Sequence, residues 1–391
     1  MNYILFDGDA RVSLLPFTYT RPLADIRIGI LTIREKWEKY LGNTTTTITE
    51  EYLEAKYPMV ELGENVLINA SYLPTKRLVE QVTNLSKNQA IFKGEEVIAF
   101  FTSDTQEDVD FKSYDQIEFQ EELLQIKNTW DIFSLNDLAI QADFDLITQE
   151  QTSQPIPEGV QVIKKENIFI EEGAIVLLSS LNASNGPIYI GKNAEIMEGC
   201  SVRGPLAMCE NSVLKMGTKV YGATTLGPFC KVGGEIKNSV LFGYSSKGHE
   251  GFLGDSVVGE WCNIGADTNT SNLKNNYAEV KLWNYQMEKF TKTGLQFCGL
   301  MMGDHSKCAI NTMFNTGTVV GVSTNIFGSG FPRNFVPSYS WGGAASFSTY
   351  QLKKVIEVAR VVMKRRDIFL SEVDENILQH VFDETSKFRN Y

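Results

Sequence analysis

Histidine is scarce in this chain, and so is cysteine. Three histidines and six cysteines occur in 391 residues, and no two cysteines form a CxxC pair. That spacing carries no zinc signature. No apolar run reaches the length needed to span a bilayer, which argues against membrane insertion. The opening residues, MNYILFDGDARV, lack the basic region and apolar stretch of a signal peptide, so the cytoplasm is the expected compartment. Positive charge is not in excess either. A net charge of −12 is the wrong sign for a protein that grips a phosphate backbone, and no nucleic-acid partner is expected.

What remains is an ordinary globular balance, 43% hydrophobic and 21% charged, on a chain long enough for two cores. Tyr3–Phe6 reads as a short buried strand feeding the polar loop Asp7-Gly-Asp-Ala-Arg11. Ile26, Ile30, Ile33, Trp37 and Leu41 fall at helical spacing, with Gly42 placed to end a helix. Residues 66–68 read as a second strand, and 118–127 and 131–145 as helices. Strands alternating with helices predict an α/β layer domain over residues 1–150. The polar stretch 148–159, with two prolines, predicts a linker.

Beyond it the period changes. Ile190, Ile196, Val202, Met208, Leu214, Val220, Leu226 and Val232 stand six apart without a skip. Smaller residues follow four positions later: Ala194, Cys200, Ser212, Thr218, Thr224 and Cys230. Neither a strand nor a helix has period six, whereas a hexapeptide parallel β-helix does. The pattern predicts such a β-helix, left-handed by repeat type, over residues 160–345. It also makes Cys200, Cys230, Cys262 and Cys308 inward core residues. The register resumes at Phe252, Val258 and Ile264, and again at Met302, Cys308, Phe314, Val320 and Ile326. Two interruptions are expected: residues 233–251, and an arm between about Asn272 and Gly299. Helical spacing in the tail predicts a C-terminal helical cap over 346–391.

Chemistry is expected where the repeat breaks. His249 lies in the first interruption, within Lys247-Gly-His-Glu-Gly, and an imidazole is the usual base for an amine near neutral pH. Lys215 and Lys237 offer positive charge for a sugar phosphate, and Asn263 and Asn272 offer amides for sugar hydroxyls. The competing reading is a solvated loop histidine with lysines decorating turns. His380 is expected to be structural and His305 a turn residue.

The stretch KGHEGFLGDSVVGEWCNIGADTNTSN resembles the active-site segment of a bifunctional bacterial family, the glucosamine-1-phosphate N-acetyltransferase / N-acetylglucosamine-1-phosphate uridylyltransferases. The resemblance implies His249 as general base, Lys237 on the phosphate, and Asn263 and Asn272 near sugar and acetyl group. Lys215 stands where the family has an arginine, and Phe252 where it has a tyrosine. Lys281 is the candidate for a further family lysine. Acetyl-CoA as co-substrate and a homotrimer are implied as well. In the N-terminal region, Leu5-Phe-Asp-Gly-Asp-Ala-Arg11 and Thr20-Arg21-Pro22-Leu23 resemble the phosphate-loop segments of sugar-phosphate nucleotidyltransferases. That resemblance implies Gly8, Arg11 and Arg21 at a nucleoside triphosphate. It places Asn69 where the family holds magnesium with an aspartate, although an amide is a poor ligand for Mg2+.

Three functions follow. One is acetyl transfer to glucosamine 1-phosphate coupled to nucleotidyl transfer. Another is nucleotidyl transfer to a sugar 1-phosphate, thymidylyl for example, with the β-helix as an oligomerisation module. The third is a non-catalytic sugar-nucleotide-binding scaffold.

Overall fold

A computed structural model describes residues 1–103, 105 and 109–391. The N-terminal region is built on a mixed six-stranded sheet. Its strands are β1 (Asn2–Phe6), β2 (Thr46–Ile48), β3 (Asn65–Asn69), β4 (Gln89–Lys93), β5 (Glu96–Thr102) and β6 (Asp115–Glu118), in the order β2-β1-β3-β5-β4-β6. β1 is second from one edge and pairs in parallel with both β2 and β3.

The first long helix starts at Ile33 and not at Ile26. A capping box between Thr32 and Glu35 sets that start, and Gly29 at φ 72° prevents an earlier one. Gly42, left-handed at φ 67°, ends it. Residues 118–127 are not helical. They run extended beside residues 71–73, with the Ile126 amide donating to the Ser71 carbonyl (2.8 Å) and the Leu73 amide to that of Leu124 (2.9 Å). Burial of Phe119 and Ile126 in the domain core holds them there.

From Gln161 the chain winds as a parallel β-solenoid with three sheets of six, nine and ten strands. Each sheet carries an inward column, apolar except for Lys247 on the ten-stranded face. On the ten-stranded face it runs Val176, Ile196, Leu214, Val232, Lys247, Ile264, Cys308 and Ile326. Each fully buried aliphatic rung contributes about 1.5–3 kcal/mol. All six cysteines are buried and free, and Cys200, Cys230, Cys262 and Cys308 lie in this core.

Two expectations about the repeat are corrected. Residues 233–251 are a full coil and not an interruption. Ile236, Leu241, Lys247 and Leu253 stack in register on Val220, Leu226, Val232 and Ile236. Tight corners at Gly234 (φ 81°) and Asn238 (φ 44°) shorten the spacing and hide the period. Consequently Leu253 points inward, and Phe252, opposite Glu235, points outward. The arm is real: Lys281–Asn284 and Lys289–Lys292 form an antiparallel hairpin.

One corner column is left-handed through Phe229, Tyr244, Trp261 and His305, with φ between 55° and 60°. Each such non-glycine residue costs about 1–2 kcal/mol, and stacking offsets it. Phe229 lies 5.2 Å from Tyr244, and Tyr244 lies 4.2 Å from Trp261, with rings within 10° of parallel.

The N-terminal region sits on the nine-stranded face. Phe17 packs on Phe242 (5.2 Å), the Thr225 hydroxyl donates to the Gly29 carbonyl (2.8 Å), and Arg27 Nε donates to the Phe242 carbonyl (3.1 Å). The helices Leu352–Lys364 and Glu372–Glu384 close the assembly, with His380 stacked on Tyr52 at 3.9 Å. No helix of the described residues is long and apolar enough to cross a membrane.

Candidate functional sites

The first site is a cavity of about 940 Å³ at the C-terminal end of β1. Gly8, Arg11 and Asn69 line it together with Asp9, Glu50, Glu95, Glu96 and Lys127, and Gln286 reaches it from the arm. Gly8 turns the loop at φ 58°. Arg11 is already engaged: its guanidinium donates to Asp7 (2.9 Å), to the Thr18 carbonyl (2.6 Å) and to Tyr52 (3.0 Å). Lys127 is likewise bound to Glu96 at 2.6 Å. The lining therefore presents four carboxylates against two neutralised cations.

Arg21 is not in this cavity. It is buried 283 residues away in sequence from its partner Asp304, with Glu260 at 3.1 Å, and so joins the N-terminal region to the solenoid. Asn69 does not fit a magnesium site. Its Oδ1 accepts from the Ser71 amide (3.0 Å) and its Nδ2 donates to the Val97 carbonyl (3.3 Å). Among the described residues no group of three or more His, Cys, Asp or Glu is arranged to hold a metal.

The second site follows the solenoid edge that carries His249. This histidine is exposed on the corner leaving the ten-stranded face. The corner is held from inside by Lys247, whose Nζ donates to the carbonyls of Gly233 and His249, both at 3.0 Å. Burial pushes the Lys247 ammonium down to about 8. Gly251 closes the corner at φ 114°, where a Cβ would stand 2.1 Å from the Thr268 carbonyl oxygen.

On the six-stranded face beyond this edge, three expected residues converge. The buried carboxylate of Asp255 accepts from Asn272 Nδ2 (2.6 Å) and Asn238 Nδ2 (2.8 Å), with Lys237 Nζ at 3.4 Å. The Lys237 ammonium also lies 4.4 Å from the centre of the Phe297 ring. Phe252 stands on the rung next to Lys237's strand. Asp255 organises this cluster, and sequence reasoning missed it.

Asn263 and Lys215 belong to the ten-stranded face. Asn263 lines a cleft of about 460 Å³ with Lys231, Lys307, Arg365 and Arg366. Lys281 is elsewhere, in a cavity of about 660 Å³ at the root of the arm. The His249 corner thus joins two groups of expected residues, one on each adjoining face. Lys231 and Lys307 were legible only as outward hexad positions, and Arg365-Arg366 only as a basic pair after a helix.

Residues 3–152 match a family model described as sugar nucleotidyl transferase. The bifunctional protein GlmU of Thermus thermophilus is 35% identical over 140 residues, covering 29% of this chain and 30% of its own length. The bifunctional protein GlmU of Methanocaldococcus jannaschii is 32% identical over 192 residues, 49% of this chain and 40% of its own. The chain thus spans less than half the length of these two relatives. A solved UDP-N-acetylglucosamine acyltransferase, LpxA of Bacteroides fragilis, aligns with a TM-score of 0.27 and 14% identity, over 59% of this chain and 91% of its own.

Proposed function

We propose that the protein is a transferase of amino-sugar nucleotide synthesis, with acetyl transfer at the His249 edge of the solenoid. The observation that carries this reading is the position of His249. It stands exposed on a glycine-closed corner between the Lys237–Asp255–Asn272 cluster and the face bearing Asn263. Lys237 holds the phosphate of glucosamine 1-phosphate, and Asn272 and Asn263 take sugar hydroxyls and the acyl group. The sugar amine attacks the thioester carbonyl carbon of acetyl-CoA, and His249 accepts the proton that the amine loses. The carbon–sulfur bond then breaks, and the proton passes from His249 to the departing thiolate. Phe252 supplies an apolar wall with no hydroxyl. A homotrimer, in which a neighbouring copy closes the exposed edge, fits the separation of the two residue groups on one chain.

For the N-terminal cavity two readings compete. The match over residues 3–152 to sugar nucleotidyl transferases supports nucleotidyl transfer from a nucleoside triphosphate to the acetylated sugar 1-phosphate. The four carboxylates in its lining and the engaged state of Arg11 oppose the high charge of a triphosphate, which leaves a non-catalytic sugar-nucleotide-binding domain as the second reading. In that case the solenoid carries the only chemistry, or serves as an oligomerisation module for the cavity.

The test is incubation with acetyl-CoA, glucosamine 1-phosphate and a mixture of UTP and dTTP, with products identified by mass. Acetylated sugar phosphate is expected from the native chain, with at least a hundredfold loss in His249→Ala. Unchanged turnover in that variant overturns the assignment of the base. Pyrophosphate release with one nucleotide selects the first reading of the N-terminal cavity, and none selects the second.

A further inference from the structure

The cleft that contains Asn263 has a charge pattern unlike the rest of this acidic chain. Lys231, Lys307, Arg365 and Arg366 converge on about 460 Å³ of space, and no carboxylate lines it. Among the described residues none of the four forms an ion pair within 4.0 Å. Lys307 Nζ has one protein partner, the His305 carbonyl at 2.8 Å.

The cations come from different parts of the chain. Lys231, Ser246, Asn263 and Lys307 are successive outward rungs of the ten-stranded face. At about 4.8 Å per rung the column is about 14 Å long, the scale of a diphosphate with its flanking groups. Arg365 and Arg366 follow the helix Leu352–Lys364 and close the cleft from above. A helix C-terminus by itself attracts basic residues, but that does not account for two lysines delivered by separate coils. Nor are the neutral groups spent: the Ser246 hydroxyl and the Asn263 amide make no side-chain hydrogen bond among the described residues. Tyr244 and Trp261, fixed in the corner stack, form the apolar end. Burial lowers both Lys231 and Lys307 from the usual lysine range, and for Lys231 the nearby Arg366 and Arg365 add like-charge repulsion. A bound anion relieves both.

We propose that this cleft is a binding site for a phosphate-bearing ligand, with the phosphate oxygens held by Lys231, Lys307, Arg365 and Arg366 and the remainder against Trp261. It shares Asn263 with the proposed acetyl-transfer edge and extends from there across the ten-stranded face, away from the His249 corner. The inference stands whether or not that corner transfers acetyl groups. Such a ligand has two sources, the phosphates of coenzyme A and a free nucleoside diphosphate, and both present the same oxyanions.

The experiment is calorimetric titration of the full chain with inorganic pyrophosphate at low and moderate salt. Binding in the micromolar range that weakens with salt is expected. The double variant Arg365→Ala/Arg366→Ala and the single variant Lys307→Met each weaken it at least tenfold. Lys219→Ala, an exposed lysine on another face, does not. Circular dichroism of the variants confirms that the helix and coils persist. Pyrophosphate that fails to bind below millimolar concentration, or binds the double variant as well as the native chain, overturns the proposal. Competition identifies the source: displacement by coenzyme A assigns the cleft to the acyl donor, and displacement by UDP alone assigns it to a nucleotide. His249→Ala abolishes acetyl transfer but leaves pyrophosphate binding intact, so failure of one reading is separable from failure of the other.

Discussion

Lys247 is the residue that most clearly trades stability for position. It occupies an inward rung otherwise filled by Val232 below and Ile264 above, and only 1% of it is exposed. Its ammonium is brought down from 10.5 to about 8, chiefly by burial. The unfolded chain therefore binds one more proton than the folded chain between about pH 8 and 10.5, and stability rises with pH across that window. Below pH 8 the charged ammonium costs on the order of 3 kcal/mol, offset in part by its bonds to the Gly233 and His249 carbonyls. In Lys247→Met the rise between pH 8 and 10.5 disappears from urea midpoints measured across pH. On the proposed acetyl transfer at the His249 corner, the same variant is expected to lose that activity in the acetyl-CoA assay, because the His249 carbonyl no longer has its anchor. His305 works in the opposite part of the scale. Burial and the nearby Lys307 charge bring its imidazole down to about 3, so the folded chain keeps it neutral while the unfolded chain protonates below 6.5. Stability is lost as pH falls from about 6.5 toward 3. His305→Phe, which keeps a ring beside Trp261, is expected to flatten that acid limb in thermal melts.

At the scale of elements, the arm hairpin departs from the repeat of the solenoid and is docked onto its neighbours by aromatic contacts. Trp283 stacks on Phe335 at 4.2 Å, and Tyr285 meets Tyr19, Phe335 and Phe388 edge-on at 5.5–5.6 Å. This contact carries Gln286 to the N-terminal cavity. The Tyr285 hydroxyl is buried without a partner among the described residues. Tyr285→Ala is expected to cost about 3–5 kcal/mol, whereas Tyr285→Phe leaves stability unchanged or raises it by about 1 kcal/mol. Urea unfolding of the two variants separates packing from the hydroxyl; equal losses in both would refute the assignment. The arm was legible as a gap in the hexad, but its docking was not, since nothing in a gap names its partner. The coil at 233–251 was misread for the opposite reason. Gly234 and Asn238 shorten its corners, so the period of six fails while the coil persists. The exposure of His249 was nevertheless legible, because a Lys-Gly-His-Glu-Gly segment turns outward whether it sits in a loop or on a corner.

For the whole molecule, the sequence held a signal about domain docking that the hexad obscured. Leu206-Ala-Met208, Val240-Leu-Phe242 and Leu300-Met-Met302 are apolar at every position, which is the mark of a sheet buried on both faces. The N-terminal region covers that face, and Arg21, read as a nucleotide ligand, is one of its fastenings. Its partners Asp304 and Glu260 cannot be anticipated from sequence, as they lie more than 230 residues away. Asp304 has further ties: its Oδ2 accepts from the Thr20 hydroxyl (2.6 Å) and its Oδ1 from the Glu260 amide (2.8 Å). Removing Arg21 therefore leaves two carboxylates close together in a buried junction. Arg21→Met is expected to cost about 3–5 kcal/mol, and adding Asp304→Asn should restore part of that loss by removing one unpaired charge. If Arg21 were a nucleotide ligand and not a fastening, the single variant would lose UTP binding with no change in unfolding. If it is a fastening, the urea midpoint falls, protease cuts between residues 148 and 160 become faster, and Asp304→Asn suppresses both effects.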